Sequence, residues 1–259
     1  MGEGKKLKIE NLYKRFSVNG EEINILNNIN LTIEQGEFIT IVGHSGCGKS
    51  TLLKIICGLE TLTEGSITYG GKELKEPDTT RGMVFQEHRL LPWLSIKDNI
   101  GFGLFNYSKE EREKLVNEHI ELVKLTDFKD AYPSQLSGGM SQRAAIARGL
   151  VNNPEILLLD EPFGALDALT RIQMQQEILK IWERQKTTMI MVTHDIDEAI
   201  YLGQRIVVLS SRPGKIKDII EVPQGVGRDR GSADFAKIKK KIYGYFFEDD
   251  KQILEDYVI

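Results

Sequence analysis

Hydrophobic positions follow two rhythms along this chain. From Leu7 to Gln86 they come in short clusters, Leu7–Asn11, Ile29–Ile33, Phe38–Val42, Ser66–Tyr69 and Gly82–Gln86, punctuated by Gly20, Gly36 and the Gly70-Gly71 pair. Many of these residues are β-branched or aromatic and suit a pleated sheet surface, so this part reads as strands joined by turns. One helix interrupts them: Ser50–Ile56 has helical composition and stops at Gly58. From Leu90 to Leu150 the spacing changes. Ser108 with Glu111 makes a capping box, and Val116, Ile120 and Val123 recur on one helical face, so the middle third is mostly helical.

Further on, Ile156–Leu159, ending in Asp160, and Met189–Thr193 are short apolar runs of the kind buried on both faces of a parallel sheet. Leu169–Lys186 between them reads as a crossover helix, which implies a right-handed βαβ unit. Ile206–Leu209 and Ile216–Glu221 flank Pro213-Gly214 as a hairpin. After Gly225 come Lys237, Lys239–Lys241, then Tyr243, Tyr245, Phe246 and Phe247, then acidic residues. The acidic end offsets the basic one, which favours an amphipathic helix packed on the domain over a membrane-surface patch.

Composition narrows the class. The 259 residues are 41% hydrophobic and 28% charged, enough chain to bury a core unaided. Acidic residues number 38 against 34 basic, a net charge of −4, which argues against a general nucleic-acid coat. No run approaches the roughly 18 apolar residues of a membrane span. Met1–Lys6 also lacks the apolar stretch of a secretory signal. Cys47 and Cys57 have no metal-ligand spacing and are expected as reduced thiols in the cytosol.

The sharpest chemical feature is Gly43-His44-Ser45-Gly46-Cys47-Gly48-Lys49-Ser50, followed by Thr51. It fits the phosphate-loop pattern, and it lies where the mechanism needs it, after a predicted strand and opening a predicted helix. Glycines let backbone N–H groups close around phosphate oxygens at the positive helix terminus. Lys49 is then the partner of the β- and γ-phosphates, and the Ser50 hydroxyl a ligand of Mg²⁺. Asp160, at the end of an apolar strand, is the second candidate metal ligand, reaching the metal through water. Glu161 beside it is placed to polarise an attacking water. Alone, two acids after a strand mark a helix start; the upstream loop reverses that preference.

A phosphate loop with a metal acid still allows GTPases, kinases and motors. Leu136-Ser137-Gly138-Gly139-Met140, then Ser141-Gln142-Arg143, has no role in most of them. Here the chain resembles the ATP-binding cassette family. The resemblance implies that Ser137, Gly138 and Gly139 open a helix that clamps the γ-phosphate of ATP held by the other subunit of a head-to-tail dimer. It extends to Gln86, matching the glutamine that senses metal and γ-phosphate, and to His194, matching the histidine at the γ-phosphate. Ala165-Leu166-Asp167 matches the loop that pairs across the dimer. Phe16, with Tyr13 as the alternative, matches the aromatic against adenine.

Met140 stands where many cassettes have Gln. With Glu161-Pro162-Phe163-Gly164-Ala165-Leu166-Asp167 and Ser211-Arg212-Pro213-Gly214 it resembles the nitrate, sulfonate and taurine importer group. The implied fold is α/β, a P-loop (RecA-like) core sheet with an N-terminal antiparallel β region and a helical subdomain. Residues 1–225 would form one cassette, with the helical subdomain at about 90–150, and 226–259 a helical tail. The implied role is the ATP-hydrolysing subunit of an importer, using ATP and Mg²⁺ at the cytoplasmic face of the membrane. Its partners would be a second copy or a similar ATPase subunit, integral membrane permease subunits and, indirectly, a solute-binding protein, with no nucleic acid.

Leu90-Leu91-Pro92-Trp93-Leu94 divides the two kinds of reading. Composition favours its burial at the start of the helical region, whereas the resemblance favours docking of a short helix from the membrane subunit. The competing function is a soluble cassette ATPase that remodels a nucleic-acid or ribosomal complex, but the chain has one signature, no heptads and no basic stripe. A P-loop kinase leaves Ser137–Gly139 without a purpose. Nothing in the chain distinguishes nitrate from sulfonate, taurine or bicarbonate as cargo.

Overall fold

A computed structural model describes residues 5–164, 166–223, 225 and 228–256, and the chain divides into two compact units, 1–77 with 190–259, and 78–189. Residues 1–4 and Ala165, which enter the readings above, lie outside the described residues, as do 224 at the end of the expected cassette and 226, 227 and 257–259 of the expected tail.

In the first unit β1 (Lys6–Val18) pairs antiparallel with β2 (Glu21–Glu34). β3 (Phe38–Val42) leads into α1 (Lys49–Cys57), which ends at Gly58 as its pattern predicts. β4 (Glu64–Tyr69) and β5 (Lys72–Glu73) complete an antiparallel sheet of order β2-β1-β4-β5. Leu7, Ile9 and Leu12 of β1 and Ile29, Leu31 and Ile33 of β2 are buried. The two strands are longer than their apolar clusters. Register shifts between Ile9 and Leu12 and on to Arg15, with Asn11 at φ 47°, break the two-residue alternation that sequence reading relies on.

In the second unit β6 (Arg81–Val84) pairs parallel with β7 (Ile156–Asp160). Between them lie α2 (Ile96–Ile100), α3 (Lys109–Leu122) and α4 (Gly138–Leu150). α5 (Ala168–Gln185) precedes β8 (Thr188–Thr193), within which the division between the units falls. The capping box of α3 is present in both directions, and Val116, Ile120 and Val123 are buried. Every residue of β7 is buried, and full burial of an aliphatic side chain stabilises by about 1.5–3 kcal/mol.

The chain returns to the first unit with α6 (Ile196–Leu202), β9 (Arg205–Leu209), β10 (Ile216–Glu221) and α7 (Ala233–Asp256). β9 runs parallel to β3, Val42 opposite Val208, and antiparallel to β10, the expected hairpin. The fold is thus α/β, with an antiparallel N-terminal sheet, parallel strands at the phosphate loop, and helices. Phe235 and Ile242 of α7 are buried with Val42, Ile200 and Val208, so the tail packs as an amphipathic helix. Lys239 pairs with Asp197 at 2.8 Å and Lys241 with Asp218 at 2.7 Å. The hydrogen bond from Lys241, with another from Tyr245, holds the Asp218 carboxyl below the usual carboxylate range. That contribution is present at neutral pH and is lost as pH falls through the lowered value.

The Leu90–Leu94 run corrects the expectation from composition. Asn99, fully buried, donates through Nδ2 to the carbonyls of Leu91, Leu94 and Ser95 at 3.0–3.1 Å and accepts the Leu91 N–H at 2.7 Å. This folds the run around one side chain and leaves Trp93 70% exposed. Phe102, Phe105 and Tyr107 are exposed a short way along the same unit.

Candidate active site

The phosphate loop is built by what surrounds it in the first unit. β3 delivers Gly43, and Gly48, at φ 103°, occupies the left-handed region just before α1. A Cβ on Gly48 would meet Leu26 Cδ2 at 2.7 Å, so a larger residue is excluded by packing as well as by backbone angle. Lys49 is 5% exposed. Its ammonium donates to the carbonyls of Gly43 at 2.8 Å and His44 at 3.0 Å. The His44 carbonyl also accepts the Cys47 N–H at 3.3 Å. Ser45 and Gly46 are exposed, Ser50 and Thr51 half-buried, and both cysteines are buried and outside any disulfide.

The N-terminus of α1 receives no side-chain cap and has no acidic residue in its first turn. A positive helix end with a buried lysine beside it and no carboxylate in that turn fits a phosphate.

A neighbouring turn, noted in sequence only as part of a resemblance, braces the loop. Arg212 donates to the Gly46 carbonyl at 3.4 Å. Gly214 exchanges backbone hydrogen bonds with Ile25 and Asn27. A Cβ on Gly214 would sit 2.2 Å from the Cys47 carbonyl oxygen. Gly214→Ala is therefore expected to destabilise the protein by about 1–3 kcal/mol, read as a lower melting temperature and weaker nucleotide binding; wild-type values in both would contradict this account of the turn.

Two other predicted residues lie in this unit. Phe16, half-buried on β1, carries the Lys14 ammonium 4.4 Å from its ring centroid, which occupies one face of the ring. His194 is exposed at the junction of β8 and α6. The junction is fixed on both sides of it: Thr193 Oγ1 donates to Glu198 at 2.7 Å and accepts the Asp195 N–H at 3.0 Å, while Asp195 caps α6.

In the second unit Asp160 ends β7 at 7% exposure, and Glu161 follows with φ 44°. A non-glycine residue in that region costs of order 1–3 kcal/mol and persists where its surroundings over-determine it, often at active sites. Gln86 lies two residues beyond the end of β6 and is exposed. A Cβ built on Gly164 would lie 4.0 Å from both Gln86 Nε2 and Glu161 Oε2, so these two side chains flank one small space. The segment after Gln86 is gripped by α4: His88 Nδ1 donates to Gln142 Oε1 at 2.5 Å, and Arg148 donates to the carbonyls of His88 and Arg89 at 3.0 and 2.7 Å.

Ser137 caps α4 by accepting the Met140 N–H at 3.3 Å, and Ser137 and Gly138 are exposed. Gly139 is buried instead, and its Cβ would meet Thr170 Cγ2 at 2.5 Å. Its small size serves the approach of α5 within the same unit. Asp167 likewise has a local duty: it caps α5, accepting N–H groups of Leu169 and Thr170 at 3.1 and 3.0 Å, and the hydrogen bonds from Thr170 hold its carboxyl low. Groups of three or more metal-ligating side chains are absent among the described residues. Ser50 in the first unit and Asp160 in the second each offer an oxygen donor, the ligand chemistry that Mg²⁺ takes.

A glycine-bearing phosphate loop between a parallel strand and a helix defines a P-loop nucleotide-binding α/β protein. The ABC transporter family model matches residues 26–164, and the chain belongs to that family. It is 52% identical over 239 residues to an uncharacterized ABC transporter ATP-binding protein of Methanocaldococcus jannaschii, covering 92% of this chain and 90% of that one. It is 50% identical over 238 residues to the aliphatic sulfonates import ATP-binding protein of Bacillus cereus, with 92% and 94% covered. The bicarbonate transport ATP-binding protein of Synechococcus elongatus is 51% identical over 220 residues, 83% of this chain and 33% of that one. Among solved structures, a dimeric post-hydrolysis state of an ATP-binding cassette bound to ADP and Pi superposes with TM-score 0.75 at 37% identity, covering 84% of this chain and 99% of that one. The chain is an ABC ATPase.

Proposed function

We propose that this ATPase powers import of a small anion, with aliphatic sulfonates first and nitrate, taurine or bicarbonate as the other candidates. The observation that carries the reading is the presence in one chain of a phosphate loop and an exposed Ser137-Gly138 helix start. A second copy, or a similar ATPase subunit, uses that exposed start. Residues 1–225 act as one cassette, about 90–150 as its helical subdomain and 226–259 as its tail.

In this reading the Gly43–Thr51 loop holds the phosphates, with Lys49 as their cation, and Phe16 lies against adenine through the ring face opposite Lys14. Ser50, Asp160 and Gln86 would hold Mg²⁺, which would neutralise phosphate charge there. Glu161 accepts the proton of the attacking water, and His194 and Gln86 orient the γ-phosphate end. Ser137, Gly138, Gly139 and Asp167 serve the partner's nucleotide. Closure performs work because ATP contacts from both protomers favour the closed dimer over the open one. Ser137→Arg is therefore expected to abolish ATP-dependent dimerisation in light scattering while leaving monomer ATP affinity within about twofold. An ATP-driven dimer in that variant would remove Ser137 from the interface.

No helix among the described residues is long and apolar enough to cross a membrane, so the path for the anion belongs to permease subunits. Their contact is proposed at the exposed Trp93, Phe102 and Phe105, the last two in edge contact at 5.6 Å. The chain then works as a peripheral protein on the cytoplasmic face, and a solute-binding protein presents the cargo. Uptake of labelled alkanesulfonate, taurine, nitrate and bicarbonate by cells with and without this chain tests the cargo. Loss of sulfonate uptake alone supports the first candidate; loss of another anion reassigns it, and loss of none rejects the proposal.

A further inference from the structure

The C-terminal helix reaches the phosphate loop. The Phe246 ring lies 4.9 Å from the His44 ring, centroid to centroid, at an interplanar angle of 60°. His44 is the loop residue whose carbonyl accepts both the Lys49 ammonium at 3.0 Å and the Cys47 N–H at 3.3 Å. A side chain of α7 therefore packs on the residue that helps hold the phosphate cation. The middle of the helix, which spans Ala233–Asp256, is fastened where this contact is made. Tyr245, immediately before Phe246, donates from its hydroxyl to Asp218 at 2.9 Å, and its carbonyl accepts from Lys217 at 3.4 Å. Lys241, one turn earlier, pairs with the same Asp218 carboxylate. Phe246 is half-buried, while Phe247 next to it is exposed and stacks on Tyr243, away from His44.

We propose that α7 is a brace on the phosphate loop and that Phe246 is a positioning residue for ATP, acting through His44. With the helix docked, the aromatic contact restricts the His44 side chain and, through its backbone carbonyl, the place of the Lys49 ammonium. With the contact removed, the loop gains freedom that nucleotide binding must then take away. ATP affinity is thereby tied to docking of the C-terminal helix, and anything that draws the helix off weakens nucleotide binding without touching the chemical groups. The inference rests on the reading of Gly43–Thr51 as the ATP-binding loop.

The test is calorimetric ATP binding, with steady-state ATPase kinetics, on the full chain. A tilted aromatic pair sets the scale: Phe246→Ala should raise Kd and KM for ATP about threefold to tenfold with kcat within about twofold. Phe246→Tyr should restore both, Phe247→Ala should leave both unchanged, and Phe246→Ala should add nothing in a His44→Ala background. Circular dichroism melts identify any variant whose helix has come apart, and Phe246→Leu, which keeps an apolar contact without a ring, then substitutes for Phe246→Ala. Wild-type Kd in the folded Phe246 variant, an effect that Tyr does not rescue, or full additivity with His44→Ala would overturn the brace. Lys49→Ala with wild-type ATP affinity would instead overturn the assignment of the loop, so the two failures are distinct.

Discussion

Glu161→Gln is expected to lower ATP turnover by about 10²- to 10⁴-fold, the usual worth of a positioned general base, with ATP affinity retained. The substitution keeps size and hydrogen-bonding reach while removing the carboxylate oxygen proposed to take the proton. It is sharper here than at an ordinary surface acid because Glu161 sits in the left-handed backbone region, beside the space it shares with Gln86 Nε2. Backbone strain of that kind persists where the surroundings over-determine it, often at active sites. With hydrolysis stopped and binding intact, the closed state should accumulate, so Mg·ATP should convert this variant to a stable dimer in size-exclusion chromatography. Single-turnover kinetics separate the steps. Hydrolysis within about threefold of wild type would remove Glu161 from the base role, whatever the dimer does.

Lys49→Ala should act on the other half of the chemistry. The ammonium is nearly buried and is satisfied by two carbonyls of its own loop, Gly43 and His44. Those neutral acceptors keep it in place, and in the proposed role the nucleotide brings the negative charge that it meets. Charge-assisted hydrogen bonds contribute about 1.5–3 kcal/mol, so the loss should be roughly tenfold to a hundredfold in ATP affinity by calorimetry. The two loop carbonyls are also left without their donor, so the melting temperature of the nucleotide-free protein should fall as well. Equal affinity in wild type and variant would contradict the role of the loop itself.

Much of this was legible in sequence because the informative features are local. The Gly43–Ser50 pattern names its own backbone conformation, β3 stands out as a short β-favouring cluster and β7 as an apolar run that ends in Asp160. The capping box at Ser108 and the stop at Gly58 follow from short-range hydrogen bonding. What escaped depends on distance along the chain. Nothing near Arg212 or Gly214 announces that their turn supports Gly46 and Cys47, and nothing near Phe246 announces His44. Asn99 organises the Leu91–Ser95 turn from within α2, so apolar composition misplaced Trp93 in the interior. Gly139 shows the opposite limit: a motif residue read as a phosphate contact has a packing reason in Thr170, and Asp167 has a capping reason in α5. One residue can satisfy both demands, since a helix start must be well held before it can be offered to a partner.

The bulged N-terminal strands make a related point. β1 and β2 extend well past their apolar clusters, and the register shifts around Asn11 erase the alternation that would have marked their full length. The phosphate loop depends on one of those strands, because Leu26 packs where a Gly48 side chain would stand. The packing of β2 therefore shapes the phosphate loop from outside its own motif.

The most direct test of a transport ATPase is purification of this chain from its native membrane with whatever it holds, identification of the partners by mass spectrometry, and ATPase assay of the chain alone and in the recovered complex. The account predicts a polytopic membrane protein that stimulates hydrolysis, with the stimulation lost in a variant whose Trp93 and Phe105 are replaced by Ala. Recovery with ribosomes or DNA, and hydrolysis indifferent to any membrane protein, would contradict it.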